Sequence, residues 1–116
     1  MRHPFKVSGD LDIEKNGRCF LNAKRITLLK LIEHKGSINA ASKAMRMSYQ
    51  QAWHFIKEMN EISPLPLVVR KRGGKHGGGA ILTNYGKETV VEFEKILQEH
   101  EEFKHQLSEK LWLCFF

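Results

Sequence analysis

The sequence contains no run of about 18 apolar residues, and its first stretch, MRHPFKVSGD, has no apolar segment. Neither a membrane-spanning helix nor a secretory signal is therefore expected, and no membrane partner. Cysteine is scarce: Cys19 and Cys114 lie far apart and neither has CxxC or Cys/His ligand spacing. That argues against a disulfide framework and a zinc site, and makes a cytoplasmic location the expectation. His54 and His76 lack further ligands at a fixed spacing, so no metal and no cofactor are expected. A phosphate loop of the form GxxxxGK followed by Ser or Thr is also missing. No nucleophile, base and orienting group can be placed together from spacing, so the chain does not read as an enzyme.

What the chain has is length for one domain and an uneven charge. Its 116 residues carry a formal net charge of +6. Residues 1–42 hold eight Lys or Arg against four Asp or Glu, residues 43–83 seven against two, and residues 84–116 four against seven. A basic body followed by an acidic end points to a polyanionic partner, because Lys and Arg displace counterions condensed on phosphates.

The order of elements can be followed along the chain. Asn16-Gly17 divides two short segments and suits a type I′ turn, so Leu11–Leu21 reads as a hairpin. Ala23 to His34 has the apolar spacing of a buried helix, ended by Gly36. Asn39 is the expected cap of a short helix over AASKAM, and Ser48 caps a longer one from Tyr49 to Ile62, with Gln51 completing a capping-box pattern. Pro64 and Pro66 stop it. LVVRKR and AILT are strand-like and flank GGKHGGG, a second hairpin with a flexible tip. From Asn84 to about Glu109 the spacing of Val90, Phe93, Ile96, Leu97, His100, Phe103 and Leu107 predicts a long amphipathic helix.

Two helices joined by a tight turn and followed by a basic hairpin make the α+β layout of a winged helix-turn-helix, with an N-terminal β-hairpin and a long C-terminal helix added. In such folds the second helix of the pair enters the major groove and the wing lies along the backbone or neighbouring minor groove. On that helix Ala52, Ile56 and Met59 form the core stripe. Ser48, Tyr49, Gln50, Gln51, His54 and Lys57 are the candidate DNA contacts: Gln pairs with adenine, Tyr reaches phosphate, and Lys reaches phosphate or guanine. Arg70, Lys71, Arg72, Lys75 and His76 are the candidate wing contacts. Trp53 is left between packing and projection.

The same stretches, GSINAASKAMRMSYQQAWHFIKEMN and GGKHGGGAILTNYG, resemble the DNA-binding domain of the ModE-type molybdate-responsive transcription regulators and, more distantly, the LysR-type winged helix. The resemblance runs from about Ala23 to Leu107 and implies a homodimer on a roughly palindromic operator. It does not extend to the C-terminal oxyanion-binding domains of the molybdate-sensing members, so no small-molecule effector is expected for this chain.

Residues 1–83 are thus read as the winged helix-turn-helix and residues 84–116 as a dimerisation helix and tail of the same compact domain. The stripe of Phe93, Ile96, Leu97, His100, Phe103 and Leu107, continued by the apolar end LWLCFF, is the expected interface between two copies. The functional expectation is a homodimeric, sequence-specific regulator on double-stranded DNA. The rival is a winged helix used as a protein-interaction or assembly module, since fold alone does not dictate function.

Overall fold

The computed structural model describes residues 4–71 and 79–115. Its first hairpin pairs β1 (Asp12–Lys15) with β2 (Arg18–Asn22). The turn has positive φ at both Asn16 (54°) and Gly17 (78°), as a type I′ turn requires. Asn22 then caps α1 (Ala23–Lys35), its side chain accepting from the Arg25 N–H at 2.9 Å. Gly36 ends α1 in the left-handed region (φ 73°) and donates back to the Ile32 carbonyl at 2.8 Å.

The helix pair follows as α2 (Ile38–Ala44) and α3 (Tyr49–Ile62). Here one expectation is corrected. The cap of α2 is Ser37, not Asn39: Ser37 is extended and its Oγ accepts from the Ala40 N–H at 3.0 Å, which puts Asn39 inside the first turn. Ser48 caps α3 as expected, with its Oγ accepting from the Gln51 N–H at 3.0 Å.

The second hairpin pairs β3 (Val68–Lys71) with β4 (Gly79–Leu82) in the register Val68 to Leu82 and Arg70 to Ala80. Its β4 edge meets the turn between α1 and α2, where the Ala80 N–H donates to the Gly36 carbonyl at 3.0 Å. The hairpin is thereby joined to the helical body by backbone as well as by side chains.

The last helix, α4 (Asn84–Phe115), runs beyond the expected end near Glu109. No glycine or proline occurs after Gly86, so nothing in the backbone stops it. Leu28, Leu29, Ile32, Ile56, Met59, Leu67 and Phe93 are fully buried and bring α1, α3, the wing base and α4 into one core. At 25 cal/mol per Å² each such side chain contributes on the order of 2 kcal/mol. No helix among the described residues is long and apolar enough to cross a membrane.

Candidate nucleic-acid interface

Helix α3 divides cleanly into two faces. Ala52, Ile56 and Met59 are fully buried, and with Ile62 they fix the helix on the core. Tyr49, Gln50, Gln51, His54 and Lys57 are exposed on the first three turns, beside the equally exposed cap Ser48. The exposed set mixes amide, phenol, imidazole and ammonium groups, able to donate to phosphates and to both donate and accept at base edges. A face occupied only by solvated charge would lack those amides.

The wing is held at a fixed place relative to that face by its base. Asn60, on the last turn of α3, accepts from the Leu67 N–H at 2.8 Å and donates to the Val68 carbonyl at 3.0 Å, imitating a strand partner with its side-chain amide. On the other side of Leu67, its carbonyl accepts from the Thr83 N–H at 2.9 Å, and the Thr83 hydroxyl donates to the Pro66 carbonyl at 2.7 Å. That hydroxyl in turn accepts from the Gly86 N–H at 2.9 Å and caps α4. Gly86 has to be glycine for this approach, because a Cβ there would lie 2.2 Å from the Leu67 carbonyl oxygen.

At the far end of β3, Arg70 turns back onto α3. Its guanidinium donates to the Tyr49 hydroxyl at 3.1 Å and lies 4.3 Å from the centre of the Trp53 ring. The position of Trp53, left open by the sequence, is therefore half-buried against the core with Arg70 over it. Lys71 follows on the same strand and is exposed. Arg72, Lys75 and His76 lie outside the described residues.

A second polar cluster supports α3 from behind. Arg25 is only 6% exposed, and its guanidinium donates to Glu58 at 2.5 Å and to the Cys19 carbonyl at 2.6 Å. Arg18 reaches Glu58 at 3.5 Å and Glu61 at 3.2 Å from the first hairpin. The Arg25 hydrogen bond holds the Glu58 carboxyl below its ordinary range, against the opposing effect of partial burial.

These arrangements have counterparts. No protein-family model matches the chain. Among curated proteins, the molybdenum transport protein ModE of Azotobacter vinelandii is 45% identical over 91 residues, covering 78% of this chain and 34% of that protein. The DNA-binding transcriptional dual regulator ModE of Escherichia coli strain K12 is 41% identical over 88 residues, covering 76% and 34%. The chain is a homologue of the ModE-type regulators. It spans about a third of the length of these ModE relatives. Among solved structures, the DNA-binding domain of CbnR in its complex with DNA superposes with a TM-score of 0.61 at 16% identity, over 76% of this chain and 95% of that one. At that identity the likeness shows the fold alone, a winged helix.

The stripe on α4, which its apolar spacing suggests as an interface between copies, separates into two parts. Phe93 is corrected: it is 1% exposed and belongs to the core of its own chain, because α4 packs on α1 at that level. Further along, Ile96 is exposed and Phe103 is 56% exposed, while Leu97, His100 and Leu107 are partly covered. Part of that cover comes from the N-terminal segment, whose Val7 N–H donates to Ser108 at 2.8 Å and whose Gly9 carbonyl accepts from Lys104 at 2.9 Å.

Sequence reasoning missed Trp53 as a partner of Arg70, Asn60 as the clamp of the wing, and the Arg25–Glu58 pair. An arginine directly before Ile26, the first residue of the apolar stripe of a buried helix, was the available signal for the last of these. The other two depend on contacts across loops.

Proposed function

We propose that the chain is the DNA-binding part of a transcription regulator that acts on double-stranded DNA as a homodimer. The observation that carries this reading is the pairing of an exposed polar face on α3 with a cationic strand pair held beside it through Asn60 and Arg70. Gln50, His54 and Lys57 read the major groove, with Ser48, Tyr49 and Gln51 at the phosphate edge, while Arg70, Lys71, Arg72, Lys75 and His76 follow the backbone. The relative from Escherichia coli is named as a DNA-binding dual regulator, which supports the same use here. An assembly module would leave both the amide-bearing face and the wing cations without a role.

In this reading residues 1–83 contact DNA, and the exposed part of the α4 stripe, Ile96 and Phe103 with Leu97, His100 and Leu107, meets its copy. Two-fold pairing sets two half-sites about one helical turn apart and makes the operator roughly palindromic. In this reading the protein meets its DNA in the cytoplasm. A gel-shift assay with genomic fragments at two salt concentrations tests the reading. Retained preference for particular fragments at the higher salt is expected; binding that is equally weak on all fragments would overturn it.

A further inference from the structure

Tyr49 and Trp53 stand one helical turn apart on α3, and both meet the same wing residue. Arg70 donates to the Tyr49 hydroxyl and stacks over the Trp53 ring. A guanidinium over an indole face is attracted by the ring quadrupole, and tryptophan is the strongest of the aromatic partners. The stacking leaves the edge of the guanidinium, with its remaining N–H groups, free to donate. Tyr49 accepts from Arg70 through its oxygen, so its own proton also remains available to an acceptor. The two side chains thus converge as donors at the junction of α3 and the wing, where a DNA phosphate would be met by both.

Trp53 itself is the wrong group to touch that phosphate: it is half-buried against the core and has a single donor. We propose that Trp53 is a positioning residue whose ring holds Arg70 against Tyr49, so that the pair binds one DNA phosphate as a preformed unit. This rests on the DNA-binding reading given above. An unsupported arginine on a strand next to a glycine-rich tip loses rotamer freedom when it binds; one already stacked has lost it beforehand. Removing the platform should therefore weaken binding by about three- to tenfold, the equivalent of immobilising one such side chain. It should do so without removing a phosphate contact.

That difference can be measured. Trp53→Leu should lower DNA affinity three- to tenfold while leaving the slope of log affinity against log salt unchanged, whereas Arg70→Met should reduce the slope by about 0.9. The double variant should bind no worse than Arg70→Met alone, and Trp53→Phe, which keeps an aromatic face, should recover most of the loss. Independent, multiplying effects of the two substitutions, or a reduced slope for Trp53→Leu, would overturn the proposal. If Trp53→Leu fails to fold by circular dichroism, Trp53→Met, which fills more of the space without an aromatic face, takes its place in each comparison. Without DNA, and with Trp112→Phe leaving Trp53 as the only tryptophan, Arg70→Met should alter the emission of Trp53. Unaltered emission alongside normal DNA binding would overturn the positioning role alone; a wild-type chain that binds no DNA would overturn the regulator reading, and the phosphate role with it, whatever the emission does.

Discussion

Glu58 on α3 and Arg25 on α1 form a hydrogen bond of 2.5 Å across 33 residues of sequence, and it is the Arg25 end that is buried. A guanidinium at 6% exposure needs its charge answered. Glu58 does so together with the carbonyls of Cys19 and Phe20. The back of α3 is thus anchored electrostatically while its front is exposed.

The first prediction follows from the depressed Glu58 pKa. A carboxyl held below its unfolded value contributes stability that is fully present above about pH 4.5 and is lost as pH falls through the folded value. Glu58→Gln should lower stability at pH 7 by about 2 kcal/mol, the scale of a charge-assisted hydrogen bond, and should flatten the decline below pH 4.5. Urea denaturation between pH 7 and pH 3 measures both, and identical acid profiles for the two proteins would refute the role of the pair.

The second concerns the wing cations. Replacing Lys71, Arg72 and Lys75 with alanine should weaken binding to every DNA sequence alike, each lost phosphate contact lowering the log–log salt slope by about 0.9. Salt titrations by filter binding report this directly. An unchanged slope in the triple variant would show that the wing does not follow the backbone.

The third concerns the front of α3. Gln50→Ala and His54→Ala should leave the thermal midpoint within a degree or two, because both side chains are exposed. Each should also cost on the order of 1–3 kcal/mol at one operator position. Selection from random DNA would reveal a motif relaxed at that position; the wild-type motif from both variants would remove them from the reading set.

The fourth uses two residues of one stripe that meet different surroundings. Phe93→Ala should cost about 3–5 kcal/mol of stability as a core cavity. Phe103→Glu, at a site 56% exposed, should leave the fold intact but split the dimer, since an unpaired charge would have to be desolvated between copies. Sedimentation at micromolar concentration decides it: a wild-type mass near 13.5 kDa would contradict the dimer.

Local signals were legible in the sequence and distant ones were not. Asn16-Gly17, Gly36 and Ser48 each impose a backbone geometry through their own side chain or its absence, and all three stand where expected. Ser37 and Asn39 are two competent caps two residues apart, and the one used is the one whose backbone also meets β4. The continuation of α4 to Phe115 was hidden because the apolar end reads equally as a tail. In the candidate site, the exposed and buried faces of α3 follow from periodicity alone. Trp53, Asn60 and Arg25 each act on a residue in another element, so no spacing within one helix reveals their partners.

The Asn60 clamp separates two properties that recognition ordinarily mixes. Asn60, Leu67, Thr83 and Gly86 fix the distance from α3 to the wing, and none of them is among the exposed side chains at the front of α3. On the DNA-binding reading proposed above, the letters to be read and the span over which they are read are written in different residues. On that reading, exchanging Gln50, His54 and Lys57 should retarget the surface while the footprint keeps its length, which makes the domain a graftable scaffold whose vocabulary changes without its grammar.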